Sequence, residues 1–188
     1  MKKLTILIFP IFILFLTGCI SLKIKSELPT IYSYDFNANI SPTSCETYKN
    51  IALIDIDSTG IYESKKIIVR NDDGRITNLE GKQWIDSPKN IFRDLLIQEG
   101  AKHCISINLP PFGTQLPQNV LKLTLVSLEI RNGNHPSAQM VLGYNLAKSG
   151  KKMNGFLQET QEIQGDDIKA LQEVAKNIVN QLVKLFGE

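Results

Sequence analysis

The chain has 188 residues, with 21 Lys+Arg against 19 Asp+Glu. Hydrophobic residues at 43% and charged residues at 21% are ordinary globular usage, which excludes a disordered chain and a multi-span membrane protein. Two basic residues, Lys2 and Lys3, sit in a leader, so the remainder is neutral and lacks the basic surface that nucleic acid demands.

In chain order the leader comes first. Behind Lys2 and Lys3, residues Leu4 to Leu16 are apolar except for Thr5 and Pro10. The run is too short to span a bilayer comfortably and has the form of a signal peptide. It ends in Leu16-Thr17-Gly18-Cys19. That tetrapeptide resembles a bacterial lipobox, in which the leader (residues 1–18) is cut before a Cys that becomes acylated. A single acyl chain holds a protein to a bilayer only marginally, whereas further chains hold it durably. In lipoproteins of Gram-negative bacteria an Asp after that Cys tends to mark the inner membrane. By resemblance to that sorting pattern, Ile20 points to the outer membrane, with the body on the periplasmic side. The competing reading is a plain secretory leader or anchor helix with Cys19 incidental.

Residues 19–49 are expected to form a lipidated tether that leads into a short extended piece, where Tyr32, Tyr34 and Phe36 alternate. The body follows, over residues 50–188. Ile51 to Asp57 is a strand, Ser58-Thr59-Gly60 a turn, and Ile67-Ile68-Val69-Arg70 a second strand. Asn71-Asp72-Asp73-Gly74 turns the chain, and Arg75 to Leu79 pairs back as a hairpin. Then the period changes. Ser87 as N-cap and Pro88 at the first helical position open a helix with Ile91, Phe92, Leu95 and Leu96 on one face, and Gly100 is expected to close it. Strand Cys104–Leu109 and a Pro-rich loop come next. Val120 to Arg131 and Ala138 to Lys148 are long strands joined at Asn132-Gly133-Asn134, and Ser149-Gly150-Lys151-Lys152 leads into Phe156 to Ile163. Gly165-Asp166-Asp167 starts a final helix whose stripe is Ile168, Leu171, Val174, Ala175, Ile178, Val179, Leu182 and Leu185.

This order predicts an α+β fold, a mostly antiparallel sheet with two helices packed on one face. The strand–helix–strand unit over residues 67–109 predicts one parallel pairing through a right-handed crossover.

With Cys19 taken by lipid, Cys45 and Cys104 remain, an even pair in an oxidising compartment. Cys45 lies shortly before one predicted strand and Cys104 opens another. A disulfide and two free buried thiols are equally open readings, and adjacency of the two strands decides between them.

The inventory of catalytic residues is thin. His103 and His135 have no ligand-spaced company, so no metal is expected. There is no Gly-rich phosphate loop and no nucleophile elbow, so neither a cofactor nor an enzymatic activity is expected. Asp55 and Asp57 share one face of a strand and are expected to mark a polar edge or strand end rather than acid–base chemistry. Trp84, the sole Trp, is either an interface anchor or a staple holding the helix entry to the core.

The order and spacing of these elements resemble a known family. Ile67-Ile68-Val69-Arg70, a short hairpin and then Trp84-x-x-x-Pro88 opening a helix are similar to the ABC-type transport auxiliary lipoproteins. These are accessory lipoproteins of mammalian-cell-entry (MCE) lipid-transport systems. The resemblance runs over residues 16–186. It implies a non-catalytic, lipid-anchored component that assists phospholipid movement by docking an MCE-domain protein at a membrane. An ABC permease and ATPase of the same system would supply energy, and the chain could form a homo-oligomer. The competing reading is a structural or assembly lipoprotein of an outer-membrane or cell-wall machine.

Overall fold

The computed structural model describes residues 30–36, 44–113 and 117–187. The leader, Cys19 and Ile20 lie outside the described residues. The elements are β1 (Tyr32–Tyr34), β2 (Lys49–Ser58), a 3-10 turn (Gly60–Tyr62), β3 (Lys66–Asn71), β4 (Ile76–Trp84), α1 (Pro88–Lys102), β5 (Ile105–Asn108), β6 (Asn119–Asn132), β7 (Ser137–Lys148), β8 (Lys151–Glu162) and α2 (Asp167–Gly187).

All the strands join one sheet, with β6 at its centre. One side of β6 pairs antiparallel with β7 along nearly its whole length, and β7 pairs likewise with β8. The other side of β6 is shared. Val120 to Leu125 take β2 in parallel, and Glu129 to Asn132 take β3 in parallel. β2 and β3 therefore lie end to end along one strand, with the 3-10 turn between them. Outside β2 runs β5, outside β3 runs β4, and outside β4 runs β1.

The α+β class and the two helices on one face agree with the sequence pattern. α1 packs on β2 and β5, α2 packs on β6, β7 and β8, and the helices touch each other. The sheet is mixed. Its long pairings are antiparallel, but β1–β4, β2–β5, β2–β6 and β3–β6 are all parallel. The one parallel pairing expected, across the strand–helix–strand unit of residues 67–109, is not among them: β5 pairs with β2 instead of β3, and nothing local in the sequence says that β2 and β3 both run alongside β6.

Two bulges keep the apolar residues facing the helices. In β2 the register skips Ile54, so Leu53 and Ile56 are both buried although three residues apart. Ile54 is pushed outward, and Asp55 and Asp57 face away from the helices. In β6 the skip is at Val126: Leu121, Leu123 and Leu125 precede it, Leu128 and Ile130 follow it, and all five are buried.

The helix ends differ in detail from the sequence reading. Ser87 is the N-cap of α1 and Pro88 follows it, yet the Ser87 side chain makes no capping bond. The Asp86 carboxylate instead accepts the Ser87 N–H and the Asn90 side-chain amide. Gly100 does not close α1, which continues to Lys102, and Cys104 takes the left-handed conformation at φ 58°. Gly100 is needed for room: a Cβ there would sit 3.3 Å from the Ile105 carbonyl oxygen on β5. At α2 the Asp166 carboxylate accepts the N–H groups of Ile168 and Lys169. At its far end the ammonium groups of Lys49 and Lys148 both donate to the Phe186 carbonyl, cations at the negative pole of the helix.

Candidate functional site

The helices cover one face of the sheet and leave the other open. Alternation decides what each face shows. On β7, Ala138, Met140, Leu142 and Leu146 are buried toward α2, and the intervening Gln139, Val141, Gly143 and Asn145 face away from it. Phe156 on β8 belongs to the open face and is 73% exposed, the most exposed large apolar side chain among the described residues. It stands opposite Gly143 in the ladder, and its ring covers the glycine so closely that a Cβ there would come within 3.2 Å. On the helix side the next pair is reversed, with the Tyr144 ring against Gly155.

Near the middle of the sheet the open face carries a charged cluster. Glu129 alternates with Leu128 and Ile130, so it points away from the helices, yet it is only 1% exposed. The 3-10 turn covers it. Tyr62 Oη donates to Glu129 Oε2 at 2.6 Å. Arg70 lies on β3 two residues beyond the position paired with Glu129, and its Nε and Nη2 donate to the two carboxylate oxygens at 2.8 and 2.9 Å. Arg131 Nε lies 3.4 Å from Oε1. Both lone-pair fronts of the carboxylate are met, as a buried charge requires. The cluster floors an open cleft of about 690 Å3 whose walls include Thr59, Ile61, Val126, Gln139, Val141 and Gln158.

Burial alone would push the Glu129 carboxyl up, but hydrogen bonds from Arg70 and Tyr62 and the Arg70 charge outweigh it and hold the group below its ordinary value. Burial, then the Glu129 carboxylate, push the Tyr62 phenol up to about 12. The hydrogen bond to Glu129 likewise raises the Arg70 guanidinium, which stays charged. The two pH limbs follow. Glu129 has a lowered folded value, so its contribution is present above the ordinary value of 4.5 and fades as pH falls through the folded one. Tyr62 has a raised value, so its contribution is full below 10.0 and fades as pH rises toward about 12. Glu129→Gln is expected to flatten the acid limb of stability against pH, and Tyr62→Phe the alkaline limb. Variant and wild-type curves of the same shape would refute this.

The residues singled out from the sequence lie elsewhere. Cys45 and Cys104 are joined by a disulfide, with Cα atoms 5.7 Å apart, beside the parallel pair β2–β5. Trp84 is 1% exposed and packs edge-on against Phe36, ring centroids 5.0 Å apart. It therefore cannot anchor an interface. It is the last residue of β4, which was expected to stop at Leu79 but runs on past Gly81, whose φ is 68°. Asp55 accepts the Ile56 N–H, and Asp57 pairs with Lys122 at 2.8 Å, whose hydrogen bond lowers the Asp57 carboxyl. The β5 pairing stops at Ala52, so at these positions β2 is flanked by β6 on one side alone among the described strands, which is the polar edge expected. His103 caps the end of α1, and His135 lies 3.8 Å from Glu162. No group of three or more His, Cys, Asp or Glu converges among the described residues. No helix among them is long and apolar enough to cross a membrane.

Tyr62, Glu129 and Arg131 escaped the sequence reading as a site. Its one trace was a Glu set between apolar residues in the longest predicted strand.

No family model matches the chain, and no curated protein matches it either. Its fold does have solved likenesses. Protein XCC0632 from Xanthomonas campestris, of family DUF330, superposes with a TM-score of 0.66 at 15% identity, over 84% of this chain and 96% of that one. The fold is shared. An uncharacterized protein superposes at 0.64 with 11% identity, over 83% and 95% of the two chains. The hypothetical protein CT253 from Chlamydia trachomatis reaches 0.50 at 9% identity, over 75% and 97%. At these identities the likeness concerns the arrangement of strands and helices alone.

Proposed function

We propose that this chain is a lipid-anchored docking protein of the cell envelope, with no catalytic role of its own. Acyl chains on Cys19 hold it to a membrane, on the periplasmic side and by the Ile20 pattern at the outer membrane. The observation that carries the docking role is the uncovered sheet face, which presents Phe156 and the cleft over Glu129 while the opposite face is closed by both helices. The Cys45–Cys104 bond supports an oxidising compartment.

The partner in this reading is the MCE-domain protein of an ABC-type lipid-transport system. The support is the order of elements from Ile67 through Trp84 and Pro88 to the terminal helix. The permease and ATPase of that system drive the transport, and this chain fixes one end of the assembly.

Two measurements test the proposal. Palmitate fed to cells is expected to label the wild type and not Cys19→Ser; an unlabelled wild type refutes the anchor. A photo-cross-linking residue in place of Val141, on the open face, is expected to capture an MCE-domain protein in intact cells. Capture of a cell-wall synthase instead would favour an assembly lipoprotein and overturn the transport reading.

A further inference from the structure

We propose that two copies of this chain pair antiparallel along β8, continuing the sheet across a two-fold axis at Leu157. β8 is the long edge of the sheet. It has 12 residues, pairs with β7 without a register break, and has no described strand on its outer side. An antiparallel ladder sends the N–H and C=O of alternate residues to opposite sides, so every second residue of β8 offers an unpaired donor and acceptor outward. Long edges are usually blunted by Pro, a bulge or charge; Lys151–Glu162 contains no Pro and no bulge, and its exposed charges sit at its two ends.

Charge selects the occupant. β8 begins with Lys151 and Lys152 and ends with Glu162. Within the chain, Lys152 stands opposite Ala147 and Glu162 opposite Ser137, so the ladder with β7 gives neither a counter-charge. The ion partner of Glu162 is an exposed His135, 3.8 Å away. An antiparallel second copy sets Lys152 opposite Glu162 of that copy, and Glu162 opposite its Lys152. In the same register Asn154 meets Thr160, Phe156 meets Gln158, and Leu157 meets itself.

Opposed residues then lie on one side of the joined sheet, as the pleat demands. The two Phe156 rings become diagonal neighbours, and each covers apolar surface that is exposed in the single chain. A slip of two residues sets Lys152 against Thr160 and loses both ion pairs. A parallel copy sets Lys against Lys. The ion pairs thus fix register and direction, while main-chain hydrogen bonds and the aromatic contact supply the attraction.

This inference goes beyond the docking role: the edge strand shares Phe156 with the open face, but Val141 probes the face and Leu157 the edge, so each proposal fails by its own readout. The test uses the full-length, processed chain in mild detergent. Sedimentation is expected to show a dimer. Leu157→Cys places a thiol on the axis, where opposed Cβ atoms are about 5 Å apart, and is expected to give a disulfide-linked dimer under mild oxidation. Asn154→Cys, off the axis, is expected to give none. Lys152→Glu and Glu162→Lys are each expected to weaken dimerisation about tenfold, and the double exchange to restore it. A monomer, an assembly in which Leu157→Cys does not cross-link, or single reversals without effect would overturn the proposal.

Discussion

Breaking the Cys45–Cys104 bond is expected to destabilise the body by about 4 kcal/mol. The two residues are 59 positions apart, and the loop that they close holds β2, the 3-10 turn, β3, β4 and α1. Opened, that loop restores chain freedom to the unfolded state, and the chain-entropy model puts the effect at about that size for this length. The folded state also depends on the bond. β2 meets β5 over Lys49 to Ala52 only, and the Lys49 N–H donates to the Cys104 carbonyl at 2.9 Å right beside the bridge. Without it a short parallel pairing and the contacts with α1 must hold the edge strand. The paired substitution Cys45→Ser with Cys104→Ser should lower the thermal midpoint by roughly 10 °C. Dithiothreitol should do the same to the wild type and nothing to the variant. An unchanged midpoint in both experiments would show that the bridge does not matter to stability.

The second large effect concerns Trp84. Its truncation to Ala is expected to cost about 3–5 kcal/mol, the range for large aromatic side chains in close-packed interiors. The indole is 1% exposed and its main partner is Phe36. Phe36 follows β1, a three-residue strand whose tie to the sheet is a parallel pairing with Lys82, Gln83 and Trp84. Beyond that pairing the segment is tied by the Ile85 N–H to the Tyr34 carbonyl and by Gln83 and Gln172 side-chain bonds, so the two rings are its main buried apolar attachment. In Trp84→Ala, amide exchange over residues 31–36 should therefore accelerate far more than exchange in β6 or β7. Uniform acceleration across the sheet would show that Trp84 supports the whole core and not β1 in particular. As the sole Trp, it also reports directly: its emission should be blue-shifted in the native protein and shift to the red on unfolding.

The parts of this fold that were legible in the sequence are those governed by local periods. α2 has a stripe of Ile168, Leu171, Val174, Ala175, Ile178, Val179 and Leu182, all buried, because a long helix repeats its signal over several turns; only its last expected member, Leu185, is half-buried, and Phe186 fills the core there. The same holds for α1 with Ile91, Phe92, Leu95 and Leu96. The β7–β8 hairpin turns at Ser149-Gly150, both at positive φ, and Gly marks such a site plainly.

What was not legible depends on distant partners. The skip at Ile54 exists because β6 demands it, and no neighbour of Ile54 announces it. Glu129 finds Arg70 at a separation of 59 residues and Tyr62 at 67. Arg70 was visible as the end of an apolar run, yet its role needs β3 to lie beside the last residues of β6. Trp84 was read as an interface anchor or a helix-entry staple because Ser87-Pro88 is a strong start signal; the strand leading up to it passes through Gly81, where the period-two pattern lapses.

The placement of β2 and β3 end to end against β6 has a consequence for the order of assembly. β2 and β3 both wait for later strands. β2 has no hydrogen-bonded neighbour until β5 and β6 exist, and β3 has only the β4 hairpin until Glu129 to Asn132 arrive. Loop closure over such separations is slow, and the ladders that reward it come last. A nascent chain that stops short of Asn119 thus lacks the template on which its front half registers. Before its final third is made, such a polypeptide can form only the β1–β4–β3 and β2–β5 pairings, two fragments with no strand to join them.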